Sequence, residues 1–264
     1  TPSDWQPLIN AIAEHGGISS GKAMDVTQQV YERSKNNPKS KARLTDIQRK
    51  QIAGFTEPSS KHYRNKKGSI LVATESPKGL HRVSIHKDGS FDSLGAGPVD
   101  ESKWSAIKLS LADDVTTAAY TTERNPSKKQ SEAGNYRKGK VRLHGMEVSI
   151  ETPKGQRRKP EWPKLPAHYG YIKRTEGNDG DHVDVFVGKH PDSEIAFVID
   201  QYKGKDFDEH KVLLGYKSKR KAARAYSKAY GGRQPGRITP VTIGRLKQWL
   251  KDGDTNRPMH LEAN

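Results

Sequence analysis

Between residues 178 and 187 the chain reads Asn178-Asp179-Gly180-Asp181-His182-Val183-Asp184-Val185-Phe186-Val187, the stretch that most narrows its possible structure. Asn, Asp and Gly together predict a turn, because each tolerates backbone angles that other residues avoid. From His182 onward the period is two. Val183, Val185 and Val187 fall on one face of a strand, Asp184 and Phe186 on the other. Asp184 therefore projects away from the valines, and the turn can fold Asp179 and Asp181 towards it. Three like charges this close repel unless a cation sits between them. Mg2+ takes oxygen ligands and is usually held by one or two carboxylates plus substrate phosphates. An acidic surface turn that merely caps a strand would show the same pattern. An EF-hand would not, since its other ligand positions and its closing Glu are missing.

The surroundings add to this pattern. A tyrosine-rich turn, Pro166-Ala167-His168-Tyr169-Gly170-Tyr171-Ile172, comes shortly before the acidic run. Further upstream are Ser149-Ile150-Glu151-Thr152-Pro153 and Lys159-Pro160-Glu161; downstream are Phe197-Val198-Ile199-Asp200 and Asp208-Glu209-His210-Lys211. Over roughly residues 132–230 this arrangement resembles the family I soluble inorganic pyrophosphatases, whose signature is a D-G-D-P-x-D-V run after an N-Y-G-Y-I-like turn. Tyr226-Ser227-Lys228 stands where that family has a late Tyr-Lys pair. There are departures: His182 replaces a proline, Leu165 replaces a tyrosine, and the arginine between K-x-E and the tyrosine turn has no counterpart. The segments 132–136 and 208–211 look like those of the pyrophosphatase-like domain in large multidomain bacteriophage proteins.

The resemblance implies an α+β fold, a small β-barrel with flanking helices. It implies Mg2+, with Mn2+ as the alternative, held by Asp179, Asp184, Asp200 and one of Asp208 or Glu209. Glu151 and Glu161 would be outer or transient metal groups. Asp181 would orient or take the proton of the attacking water. Lys159, Lys211 and Tyr169 would grip the phosphates. The implied reaction is hydrolysis of inorganic pyrophosphate or a related phosphoanhydride, in a virion or a host bacterial cytoplasm. The competing reading is a structural or internally packaged and ejected virion protein that uses the same fold to bind DNA or capsid without catalysis. His168, His182, His190 and His210 invite a zinc reading, but their spacing fits no helical H-x-x-x-H site.

Composition bounds the partners. A net charge of +16 favours polyanions such as DNA, RNA or other virion components. Aromatic residues make up 7% of the chain, which argues against an extended base-stacking surface. The absence of cysteine excludes disulfides and thiolate sites. No apolar run is long enough for a membrane span. A chain beginning at Thr1 is expected to be a processed or trimmed piece of a longer one.

Residues 1–120 are expected to form a basic α+β domain, 121–131 a linker and 132–264 the pyrophosphatase-like domain. Helices are expected from Asp4 to His15, after Ser19-Ser20, within 34–50, and from Asp100 or Ser102 through Leu111. In the first domain, strands are expected over 68–74 and 80–86, with Lys87-Asp88-Gly89 as a turn. In the second, Lys140–His144 and Met146–Glu151 should form a hairpin about Gly145. Strands follow near 183–187, 194–200 and 211–216, then helices over 218–230 and 242–251.

Overall fold

The computed structural model describes residues 44–56 and 60–259. The helices expected before Leu44 lie outside the described residues. Helix α1 (Asp46–Phe55) starts at a capping box, in which the Thr45 side chain accepts from Gln48 N–H and the Gln48 side chain reaches back to Thr45. It packs on a five-stranded sheet ordered β4-β3-β2-β1-β5, built from β1 (Lys61–Arg64), β2 (Ile70–Ser76), β3 (Gly79–Ile85), β4 (Phe91–Ala96) and β5 (Ser105–Ile107). Ile52, Ile70, Val72, Val83 and Ile85 form its core. The expected turn at Lys87-Asp88-Gly89 is present, and Gly89 takes φ +89°, a left-handed conformation that favours glycine.

The helix expected from Asp100 or Ser102 begins later. Residues 105–107 pair with β1 as β5, and Ser110 caps α2 (Leu111–Thr121) instead. Asp113 and Asp114 in the first turn of α2 suit the positive end of its dipole. This helix joins two cores. Arg49 of α1 pairs with Asp113 at 2.7 Å, while Val115, Ala118 and Ala119 enter the core of the second sheet. The approach to that sheet is tight, for a Cβ on Gly139 would lie 1.9 Å from the Ala118 carbonyl oxygen. The stretch expected as a linker starts in packed structure: the Thr122 hydroxyl donates to the Ile150 carbonyl and accepts from Gly139 N–H. A short helix, α3 (Lys128–Glu132), follows, capped by Ser127.

The second sheet has seven strands in the order β12-β10-β11-β9-β8-β7-β6. They are β6 (Gly139–Leu143), β7 (Met146–Thr152), β8 (His168–Ile172), β9 (Asp184–Val187), β10 (Ile195–Lys203), β11 (Asp206–Leu214) and β12 (Ile238–Thr242). Among the described residues the expected barrel does not close, since β12 and β6 end the strand order. The fold is α+β with open sheets. Both faces are covered. On the back face Val148, Val183, Val185, Val198 and Val212 pack with α2 and with α5 (Ile243–Asp252). On the front face Tyr169, Phe186, Phe197 and Leu213 pack with Ala222, Ala225, Tyr226 and Ala229 of α4 (Lys219–Ala229). The alternation expected at β9 holds, with the valines on the back and Phe186 on the front.

Candidate active site

Register brings the chemistry to one end of the front face. β9 and β11 pair in parallel with Asp184 opposite Lys211, and β10 and β11 pair with Gln201 opposite Glu209. The side chains of Asp184, Gln201, Glu209 and Lys211 therefore share a face and line a cleft of about 1090 Å3. The acidic turn is held over this end: Asn178 donates to the Asp208 carbonyl at 2.9 Å, Asp181 N–H donates to the Asp179 side chain, and Gly180 takes φ +80°.

Lys211 is at the centre. Its ammonium is buried and pairs with Asp184 and with Glu209. Burial opposes its charge, but Asp184 and then Glu209 outweigh this and raise its pKa above the ordinary lysine value. Glu209 shifts upward, first because it is buried and then because Asp184 and Asp179 repel its charge, with Lys211 opposing. Gln201 donates to Asp208 and Glu209 at 2.9 and 2.8 Å, and the Tyr226 hydroxyl donates to its amide oxygen. Lys203 adds an ion pair to Asp208 at 2.7 Å.

A second wall comes from the segment between β7 and β8. Arg158 stacks its guanidinium 3.8 Å from the centre of the Tyr169 ring and also lies near Trp162. It is half-buried, yet no hydrogen bond or ion pair engages it among the described residues. A guanidinium with free donors inside a cleft is suited to bidentate recognition of an oxyanion. Across from it Lys138 pairs with Glu151 at 3.1 Å and sits over Tyr136 and Tyr171.

Of the residues expected in the site, Glu151, Lys159, Glu161, Asp179, Asp181, Asp184, Asp208, Glu209 and Lys211 line this cleft. Tyr169 does not face it. Its ring is buried beneath Arg158, and its hydroxyl donates to Asp184, so it orients that carboxylate. Asp200 lies on the other face of β10, fully buried beside His210, 3.2 Å from its Nε2 and accepting from Met259 N–H. Gln201, the next residue, occupies the front-face position instead. Arg158 and Arg233 line the cleft without having been singled out from sequence. The Arg157-Arg158 pair beside Lys159 was the available signal for the first, masked by a chain rich in cations. The four histidines do not gather. His210 is in the back-face core and His168 accepts from Lys154 N–H, while His182 lines the cleft stacked on Tyr171.

The donor set fits a hard cation. The cleft offers carboxylate oxygens from Asp179, Asp181, Asp184, Asp208 and Glu209, the ligand type Mg2+ and Mn2+ take. Among the described residues no three His, Asp or Glu side chains converge at ligating distance. Lys211 instead draws Asp184 and Glu209 together.

Compared with known proteins, residues 128–251 match the family model described as Inorganic Pyrophosphatase. No curated protein and no solved structure matches the chain. The matched residues contain the whole wall of acids and cations described above.

Proposed function

We propose that this cleft hydrolyses a phosphoanhydride, with inorganic pyrophosphate as the simplest substrate and Mg2+ or Mn2+ as cofactor. The observation that carries the reading is the meeting of the Asp179–Asp184 turn with Lys211, Lys159 and Arg158 on one cleft, inside the residues that match the pyrophosphatase family. Asp179, Asp184, Asp208 and Glu209 would hold the cation, with Glu151 and Glu161 on the same cleft as outer or transient groups. When bound, such a cation polarises phosphoryl oxygens and lowers the pKa of water.

The chain's own groups do the rest. Asp181 is exposed and its carboxylate has no partner among the described residues, which suits it to orient a water and accept its proton. Arg158 and Lys159 bind phosphate oxygens from one wall, and Lys211 offers its charge to the leaving phosphate from the floor. Tyr169 acts through Asp184 rather than on the phosphate.

The test is phosphate release from pyrophosphate with Mg2+. Asp181→Asn is expected to lose about 100-fold or more, the low end for a general acid–base group; Asp184→Asn, which removes a cation ligand, should lose at least as much, and EDTA should abolish turnover. A folded chain that turns over neither pyrophosphate nor a panel of nucleotides with Mg2+ or Mn2+ would sink the hydrolase reading in favour of a DNA- or capsid-binding module. The proposal extends to a phage setting, in the virion or the host cytoplasm, on the resemblance of segments 132–136 and 208–211. Detection of the chain in purified virions tests that part.

A further inference from the structure

Helix α4 carries its charges where they harm it. Lys219, Arg220 and Lys221 occupy its first turn, at the positive end of the dipole, and that turn has no acid. Arg220 and Arg224, and Arg224 and Lys228, are like charges four residues apart, which destabilise a helix, and Lys217 adds a further cation just ahead of the N-cap Ser218. By contrast α2 opens with Asp113 and Asp114. Lys217, Arg220, Lys221, Arg224 and Lys228 are all exposed, and none has an ion pair among the described residues. The apolar side of α4 is buried on the sheet through Ala222, Ala225, Tyr226 and Ala229, so these cations form the outer stripe, about 12 Å long from Arg220 to Lys228 at 1.5 Å per residue, with Lys217 just ahead of it. They also crowd the neighbouring loop: the pKa of His190 is lowered first by burial and then by Lys217, with Lys221 and Lys189 adding to this against Asp192.

The stripe leads to the cleft. Lys228 is two residues before Tyr230 and five before Arg233, and both of these line it. The cleft itself is larger than a pyrophosphate requires, since pockets of roughly 300–1,000 Å3 hold drug-sized ligands and this one measures about 1090 Å3. We infer that α4 is a binding track for linear inorganic polyphosphate, which lies along the stripe and presents its end to the cleft. This rests on the hydrolase reading of the cleft. Nucleic acid fits less well. The outer face of α4 has no exposed aromatic to stack a base, and a polymer of phosphodiesters offers the cleft no anhydride along its length. In polyphosphate every link is a phosphoanhydride. Water oxygen would bond to the terminal phosphorus and the bridging P–O bond would break. The products are orthophosphate and a chain one unit shorter, with the water's proton passing to solvent.

The experiment compares the full chain with a K217Q/R220Q/K221Q/R224Q variant, which should fold at least as well because it removes like-charge repulsion and basic charge from the first turn. Long-chain polyphosphate, pyrophosphate and single-stranded DNA are the probes. The variant is expected to raise KM for long-chain polyphosphate about tenfold or more, with kcat and all pyrophosphate parameters unchanged. Metal-free binding of polyphosphate to the wild type should weaken with salt at a log–log slope of about −3, at roughly 0.7 per neutralised phosphate, and should raise Tm; both effects should disappear in the variant. Equal loss for pyrophosphate and polyphosphate, or binding that survives in the variant, overturns the track. DNA that competes as tightly as polyphosphate overturns the assignment of the polymer. Polyphosphate binding that the variant abolishes, in a chain that hydrolyses nothing, keeps the track and removes the hydrolase reading.

Discussion

The two faces of the β10–β11 hairpin treat ionisable groups in opposite ways. On the front, Lys211 is buried between Asp184 and Glu209, and Gln201 and Lys203 satisfy the neighbouring acids. On the back, Asp200 and His210 are fully enclosed against Trp249 and Phe207. Asp200 receives Met259 N–H through one oxygen, but its Oδ2 and both His210 nitrogens lack an aligned hydrogen-bond partner among the described residues. The Asp200–His210 distance of 3.2 Å is short enough for attraction, though its angle is poor for a hydrogen bond. The difference teaches where function can reside. The front face gathers charges that a ligand can reach and reorganise, and the back face encloses ionisable side chains that line no cleft.

Removing the central cation tests the front face most severely. Lys211→Met leaves two partly buried carboxylates without compensation, and breaking a buried pair in this way costs about 3–5 kcal/mol. Urea unfolding should show that loss, and pyrophosphate turnover should fall with it. Neutralising all three groups together (Lys211→Met with Asp184→Asn and Glu209→Gln) should restore most of the stability and none of the turnover. If the triple variant is no more stable than the single one, the front face is held by packing rather than by charge.

The back face predicts a smaller and different response. Asp200→Ala strands Met259 N–H and removes the partner of His210, at a cost of about 1–3 kcal/mol for an unmet buried group. Metal affinity and KM should stay within a few-fold of wild type, because Asp200 does not line the cleft. A loss of turnover as deep as that of Asp184→Asn would mean that the two faces are not separate.

This residue also marks how far the sequence could be read. The Asp179–Asp184 turn, the alternation of β9 and the hairpin about Gly145 were legible because local backbone preference and period two decide them. Asp200 was legible as an acid on a strand, but not its face. Parity along β10 assigns Gln201 to the front, and that depends on how β10 registers against β11, which is a tertiary fact. The open sheet went unread for the same reason: closure depends on whether edge strands β6 and β12 meet. Arg158 is hidden by abundance, since its role comes from stacking on Tyr169, a contact that the folding of the segment between β7 and β8 decides. Trp104 and Ile107 suggest a helical period over residues 105–107, whereas pairing with β1 makes them a strand.

His168 offers a third way to bury an ionisable group, as a neutral ring with one hydrogen bond, and it sharpens the contrast through pH. Its Nδ1 accepts from Lys154 N–H at 3.2 Å, a bond that protonation would break. Burial, with Lys154 nearby, lowers its pKa from 6.5 to about 4. Between those values the unfolded chain holds a proton that the folded chain does not, so stability falls as pH drops from 6.5 towards 4 and is unaffected above 6.5. His168→Asn keeps an acceptor for Lys154 N–H but cannot titrate. The variant should match the wild type in urea at pH 7.5 and lose less of its unfolding midpoint at pH 5. At neutral pH this is the smallest of the three effects. An unchanged acid slope in the variant would show that His168 is not held neutral, and the acid-sensitive group would then have to be sought elsewhere in the fold.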